Sequence, residues 1–210
     1  MALNAILELC RNQAVSTPLY NVMTGPKGER NTEREGALMD QLKEACGVFG
    51  IRTQDEEAAH ITHNALLALQ HRGQEGAGIA VLKGSAILYH KNVGLVSEVF
   101  TPTVLKKLPE ANLAIGHVRY STTGTNNREN TQPIITEYLK GRIATAHNGN
   151  ITNASEIRQK LQKIGCSFTA SNDSETISSL IAYEALSCEE IETAVENAVK
   201  QLKGAFSLVV

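Results

Sequence analysis

The sequence predicts an α+β fold, in which antiparallel strands and helices form separate layers. Two observations carry this prediction: the elements follow the order strands, helix, hairpin, strands, successive helices and strand, and the strand-like runs are short and rich in Val, Ile and Ala. A doubly wound parallel sheet would instead alternate strand and helix. With 210 residues and 42% hydrophobic content, the chain can bury a real core.

Residues 1–45 differ in composition from the rest and are predicted to form a loosely ordered leader or propeptide. They are polar, with turn-forming residues at Thr24–Gly28 and alternating charges from Glu29 to Glu35. The border lies within KEACGVFGI, where a charged stretch gives way at Cys46 to an apolar run. We therefore expect one domain over residues 46–210.

Six apolar runs are predicted to be strands, and one pair of them to be joined by a two-residue hairpin around Lys83-Gly84. The six predicted strands are Cys46–Ile51, Ala77–Leu82, Ser85–His90, Leu113–Arg119, Ile143–His147 and Ala205–Val210. Because the last run reaches the end of the chain without a turn, we expect the domain to be incomplete at its C-terminal end.

Four segments have the composition and end signals of helices. The second is predicted to start at the cap Asn153, and the fourth at the capping box Ser187–Glu190. The predicted helices are Glu56–Gln70, Ala154–Ile164, Asp173–Leu186 and a last helix that ends at Gly204.

Composition excludes several classes of function. The net charge is −2 and the basic residues are scattered, so neither nucleic acid nor an anionic membrane is an expected partner. No apolar run reaches about 18 residues, so no transmembrane helix is predicted. The four cysteines, which show no metal-binding spacing and are expected to be reduced thiols of a cytoplasmic protein, are Cys10, Cys46, Cys166 and Cys188.

Polar, glycine-rich segments follow several predicted strands, at the positions where scaffolds display reactive groups. Taken singly, each has an ordinary structural explanation: Arg119 as a surface ion-pair residue, Asn148-Gly149 as a hairpin turn, and Asp173 as a first-turn charge. Cys46 alone would be a small buried hydrophobe. The four segments are His71–Gly78, Gly116–Gly124, His147–Asn150 and Asn172–Glu175.

Together these residues fit an amino acid that carries a side-chain amide. Arg119 can grip the α-carboxylate and Asp173 the α-ammonium. Cys46 can attack the amide, while the Asn148 side chain and the Gly149 N–H stabilise the oxyanion. The base stays open: it is one of six histidines, or the α-amine of Cys46 after removal of the leader, with a reference pKa of about 7.7–8.0.

Six ordered motifs resemble those of the class II glutamine amidotransferases, which are N-terminal nucleophile hydrolases: CGVFGI, ALQHRGQEGAGIAV, GHVRYSTTG, Gln132-Pro133, HNGNI and NDSE. The resemblance implies a four-layer αββα sandwich and the same roles for Cys46 and the four residues just discussed. It also implies that Arg72 holds the catalytic N-terminus and that Tyr120 belongs to a loop that closes over glutamine. Gly76 departs from the serine usual in the family.

The residues of the motifs ALQHRGQ and GHVRYSTTG most resemble those of the branch of that family that aminates phosphoribosyl pyrophosphate at the start of purine synthesis. That resemblance implies that glutamine is hydrolysed to glutamate and ammonia here, while a phosphoribosyltransferase domain absent from this chain uses the ammonia. It implies a homo-oligomer, Mg²⁺ and in some members a 4Fe–4S cluster for the full-length enzyme, but no cofactor or metal in residues 1–210. The glutaminase domain of a sugar amidotransferase and an inactive glutamine-binding fragment remain alternatives.

Overall fold

The computed structural model describes residues 46–120 and 127–210. The predicted leader at residues 1–45, Cys10 within it, and residues 121–126 of the GHVRYSTTG motif lie outside the described residues.

Two antiparallel sheets form the centre of the fold. The first has the strand order β1-β4-β2-β3, and the second has the order β5-β6-β7. The seven strands are β1 Gly47–Arg52, β2 Gly76–Lys83, β3 Ala86–Val93, β4 Leu113–Arg119, β5 Ile134–Tyr138, β6 Gly141–Ile151 and β7 Gly204–Val209.

Helices cover the outer faces of both sheets. The longer ones are α1 Ala58–Leu69, followed by a 3₁₀ turn at Gln70–Arg72, and α4 Ala154–Lys163, α5 Asp173–Glu184 and α6 Ile191–Val199. Two one-turn helices, α2 Val96–Val99 and α3 Pro102–Leu105, lie between β3 and β4. Among the described residues, no helix combines the length and the hydropathy that a membrane span requires.

The buried apolar residues divide into three layers of contacts. One cluster joins α1 and α2 to the first sheet, and a larger one joins α4, α5 and α6 to the second sheet. A third, small cluster lies between the sheets and contains Ala80, Ile115 and Ala146. The predicted α+β fold and its αββα layering are therefore confirmed.

Strand pairing corrects two expectations. Lys83 pairs with Ala86, so the two-residue turn is Gly84-Ser85 and not Lys83-Gly84. β6 runs on to Ile151 in register with β7, well beyond the predicted end at His147. Because this long strand includes Asn148 and Gly149, the reading of that pair as a hairpin turn is wrong.

Both predicted side-chain caps are wrong. The Asn153 side chain does not cap α4 but donates to the Gln201 carbonyl and accepts from the Lys203 amide, at 2.8 and 2.9 Å. The predicted box at Ser187 is not formed, since α6 starts at Ile191 and the Ser187 hydroxyl donates to the carbonyl of Glu184. The partners of Asn153 lie about 50 residues away in sequence, whereas the partner of Ser187 is the last residue of the preceding helix.

Candidate functional site

Cys46 lies immediately before β1, with its thiol against the main chain of Tyr120 at the end of β4. The Sγ atom is 3.2 Å from both the carbonyl oxygen and the amide nitrogen of Tyr120. Burial raises the pKa of the Cys46 thiol, and the Tyr120 hydrogen bond and the positive charge of Arg119 lower it in part. The thiol is therefore protonated at neutral pH and needs a base to become a nucleophile.

The carbonyl group of Cys46 is held by two side chains from other parts of the chain. Asn148 Nδ2 donates to it at 2.5 Å, and Arg72 Nε donates to it at 3.4 Å. Asn148 reaches it because β6 faces the first sheet, and Arg72 because the 3₁₀ turn after α1 contacts β4, the strand that pairs with β1. Three residues singled out in the sequence thus meet at one main-chain group.

Arg119 is buried, with 4% of its surface exposed, so its reading as a surface ion-pair residue is wrong. Burial lowers the pKa of its guanidinium, and the charges of Glu75 and Cys46 act in the opposite direction. A Cβ atom at Gly73 would lie 2.8 Å from the carbonyl group of Arg119. Gly73 therefore lets the HRGQ segment pass close to the end of β4.

Asp173, in the first turn of α5, directs its carboxylate toward the end of β6. Its Oδ2 accepts from the Ile151 amide at 3.2 Å, and its Oδ1 lies 3.7 Å from Nδ1 of His147. The Asp173 side chain remains 20% exposed. Asp173 thus places a negative charge in the first turn of α5, and its carboxylate contacts β6, the strand that contains Asn148.

The other three residues of the NDSE motif secure this helix end. Asn172 caps α5 by accepting from the Glu175 amide at 3.1 Å, and Ser174 Oγ lies 3.3 Å from His147 Nδ1. The Glu175 carboxylate accepts from the main-chain amides of Thr169 and Ala170, each at 2.8 Å. The motif is therefore a network that orients the start of α5.

Gly149 has a main-chain conformation that favours glycine, with φ at +129°. A Cβ atom there would also lie 2.3 Å from the Ala205 carbonyl oxygen and 2.6 Å from the Cα of Phe206. The residue after Asn148 must therefore be glycine for β6 and β7 to pair at this point.

Two buried histidines, His117 and His147, lie near the site without contacting the thiol. Burial lowers the pKa of both, for His117 to about 3, so both rings are neutral. Within the described part of the chain, the hydrogen bonds of the Cys46 thiol go to the main chain of Tyr120 and to no histidine. A Cys-His pair is thus not formed by the described residues.

Among residues 46–120 and 127–210, no group of three or more His, Cys, Asp or Glu side chains is placed to hold a metal ion. The cysteines of these ranges, Cys46, Cys166 and Cys188, are free thiols.

Comparison with known proteins gives the family of this site. A family model described as a glutamine amidotransferase domain matches residues 117–210. Amidophosphoribosyltransferase of Synechococcus elongatus is 44% identical over 171 residues, which are 81% of this chain and 34% of that protein. The enzymes of the same name from Methanocaldococcus jannaschii and Homo sapiens are 46% and 42% identical, over 79% and 80% of this chain and 35% of their own length.

The chain belongs to the class II glutamine amidotransferases. Among solved structures, the amidotransferase domain resembles glutamine phosphoribosylpyrophosphate amidotransferase from B. subtilis complexed with ADP and GMP, with a TM-score of 0.68 and 40% identity. It also resembles an allosteric regulatory enzyme of purine biosynthesis, with a TM-score of 0.70 and 41% identity. Each match covers 77% of this chain and 34% of the other, so the chain spans about a third of its relatives' length.

Sequence reasoning missed several residues that shape the candidate site. Glu75 supplies the charge beside Arg119, and Asn130 and Gln132 contact the segments that carry Asp173 and Asn148. Gln132-Pro133 stood out as part of a motif, but its role depends on a partner that is 15 residues away in sequence. The sequence alone contains no signal for that partner.

Proposed function

We propose that this domain hydrolyses the side-chain amide of glutamine to glutamate and ammonia. The supporting observation is the convergence of Asn148 and Arg72 on Cys46, with Arg119 next to that cysteine in the β1–β4 pairing. Asp173, on the same side of the fold as the end of β6, supplies the second charge that an amino acid requires.

In this proposal, Arg119 binds the α-carboxylate of glutamine and Asp173 its α-ammonium group. Tyr120 begins the loop that closes over the substrate, and Arg72 holds the main chain of the nucleophile. The Asn148 amide, which donates to the Cys46 carbonyl here, and the Gly149 N–H stabilise the oxyanion.

The α-amine of Cys46 is the proposed base. It takes the thiol proton, and the resulting thiolate forms a C–S bond to the amide carbon while one electron pair moves onto oxygen. When the carbonyl re-forms, the C–N bond breaks and the ammonium returns its proton to the departing nitrogen, which leaves as ammonia. Water then hydrolyses the thioester and restores the thiol. The raised thiol pKa supports the need for such a base.

The base exists only when the Ala45-Cys46 peptide bond has been cut, because that bond makes the Cys46 nitrogen an amide. Full-length protein with Cys46 at its N-terminus should release glutamate and ammonia, and protein that keeps residues 1–45 should be nearly inactive. Intact mass and glutaminase rate, measured on the same samples, test this. An active sample that retains the leader would overturn the amine mechanism.

Substitution of the nucleophile has a matched control in this chain. Cys46→Ser should lower the glutaminase rate by at least about a thousandfold, since the nucleophile and its base act as a unit. Cys188→Ser removes another free thiol and should leave the rate unchanged. Equal rates for wild type and Cys46→Ser would reject the proposed function, while no glutamine turnover at all in the processed wild type would favour a binding domain.

For the whole protein, we propose that the ammonia aminates phosphoribosyl pyrophosphate, because the relatives are named for that reaction and the motifs resemble theirs most. We further propose that the whole protein is a cytoplasmic homo-oligomer and that Mg²⁺ and any 4Fe–4S cluster bind outside residues 1–210. Glutamine-dependent release of pyrophosphate by the full-length protein tests the acceptor. Amination of a sugar phosphate instead would place it with the sugar amidotransferases.

A further inference from the structure

A short polar segment, Asn130-Thr131-Gln132, is buried between the two sheets although none of its side chains belongs to the proposed chemistry. The exposed fractions of its three residues are 1%, 0% and 6%. Buried polar groups are costly unless they are hydrogen-bonded, so the partners of this segment indicate what it holds in place.

Gln132 completes the hydrogen-bond ladder of β6 with its side chain. The pairing of Ile134 with Thr145 would place Gln132 opposite His147 if β5 continued. The β5 ladder ends at Ile134, and Pro133 has no amide to donate. Instead, the Gln132 amide accepts from the His147 N–H at 2.6 Å and donates to the His147 carbonyl at 3.0 Å. This fixes β6 at the residue before Asn148.

Asn130 holds the start of α5 in a similar way. Its Oδ1 accepts from the Ser171 amide at 3.0 Å, and its Nδ2 donates to the Ser171 hydroxyl at 3.1 Å. Its carbonyl accepts from Nδ2 of the helix cap Asn172, also at 3.0 Å. The residue that follows this cap is Asp173.

The same segment is anchored to the first sheet, which carries Cys46 and Arg119. Lys91 Nζ on β3 donates to the carbonyls of Thr131 and Pro133, at 2.6 and 3.1 Å. A Cβ atom at Gly78 on β2 would lie 2.1 Å from the Gln132 carbonyl oxygen, so the segment touches that strand directly. One segment thus connects both sheets and the helix that together form the site.

We infer that Gln132 and Asn130 are positioning residues with separable effects on glutamine hydrolysis. Gln132 holds the strand that presents Asn148 and Gly149 to the oxyanion, and Asn130 holds the helix start that presents Asp173 to the substrate ammonium. This inference rests on the proposed glutaminase function. Oxyanion donors act in the transition state, so loss of Gln132 lowers kcat; the ammonium is bound in the ground state too, so loss of Asn130 raises KM.

The test compares Gln132→Met and Asn130→Ala in full-length protein with Cys46 at its N-terminus. Gln132→Met keeps the side-chain length and should lower kcat by about 10- to 100-fold, with KM for glutamine within about twofold. Asn130→Ala should raise KM by about tenfold with kcat nearly unchanged. Asn197→Ala, which removes an amide on α6, is the matched control and should change neither constant.

A second Gln132 variant gives a readout that a loss of folding would not produce. In Gln132→Glu, a carboxylate oxygen faces the His147 carbonyl and repels it, whereas the protonated acid can donate to that carbonyl as glutamine does. The ratio of its kcat to the wild-type kcat should therefore rise as the pH falls. All kcat values are counted per Cys46 thiol that reacts with a diazoketone analogue of glutamine, so unfolded molecules do not contribute.

Amide hydrogen exchange separates this inference from the proposed function. Gln132→Met should accelerate exchange in residues 146–151 and not in residues 171–176, and Asn130→Ala should do the reverse. If the wild type has no glutaminase activity, the proposed function fails while exchange still reports on positioning. If the wild type is active but the two variants change kcat, KM and exchange in the same way, the inference of separate positioning roles is overturned.

Discussion

At the scale of single residues, tertiary contacts change how a motif is interpreted, as Arg119 and Gly149 show. Arginine is usually a surface residue, but Arg119 is buried because it ends β4, a central strand that pairs with β1 on one edge and β2 on the other. Gly149 has the sequence context of a turn but lies within a strand. The functional group that each residue carries follows from its type, whereas its surroundings do not.

Gly149 and Gly141 form a matched pair on β6. Both have positive φ, +129° and +138°, but a Cβ atom at Gly141 would meet nothing within 4 Å. Gly141→Ala should therefore cost only backbone strain of about 1–3 kcal/mol. Gly149→Ala adds a clash with β7 and should lower the free energy of unfolding by at least about 1 kcal/mol more. Urea unfolding of both variants measures the difference. Equal losses in the free energy of unfolding would show that β7 moves aside for the added Cβ atom without a further penalty.

At the scale of elements, most bounds of strands and helices followed from local patterns, but those of β6 and α6 and the caps did not. The predicted β4 strand, Leu113–Arg119, agrees with the structure at both ends, and α5 starts at Asp173 as predicted. β5 was missed although four of its five residues, Ile134, Ile135, Thr136 and Tyr138, are types that favour strands. Its stability comes from pairing with β6 and from packing against α5.

The caps give a prediction for two helices. Asn172→Ala removes both the cap of α5 and the bond to the Asn130 carbonyl, and should lower the free energy of unfolding by about 1–2 kcal/mol. Ser187→Ala removes a hydroxyl that caps no helix N-terminus and donates to an exposed carbonyl at the end of α5, and it should change the free energy of unfolding by less than about 0.5 kcal/mol. Thermal or urea unfolding compares them. A larger loss for Ser187→Ala would restore the capping box that the sequence suggested.

At the scale of the whole molecule, the space between the two sheets contains buried titratable groups whose protonation should destabilise the domain. His117 lies on the face of β4 that meets the second sheet, close to the main chain of His147. It is completely buried, and neither of its ring nitrogens has a hydrogen-bond partner within the described residues. Folding therefore requires the neutral ring.

Stability should fall as the pH drops below about 6.5 because of His117. The pKa of this ring is lowered by burial to about 3 in the folded protein, so between the two values only the unfolded chain binds the proton. At pH 4.5 the expected loss from this residue is about 2–3 kcal/mol relative to pH 7. His117→Phe should make the stability curve shallower in this range, whereas His60→Ala, at an exposed position, should not. An unchanged acid slope in His117→Phe would contradict this account.

The sequence by itself determined the fold class, most element bounds and the residue types of the site, because periodicity, turn formers and motif chemistry are local properties. The tertiary structure decided which groups meet: Asn148 and Arg72 at the Cys46 carbonyl, Asp173 at the end of β6, and the Gln132 side chain in the place of a strand. The physical reason is that buried polar groups take whichever partner the folded chain brings near, often many residues away in sequence. For that reason the functional motifs were recognisable before folding was considered, but the segment that holds them together was not.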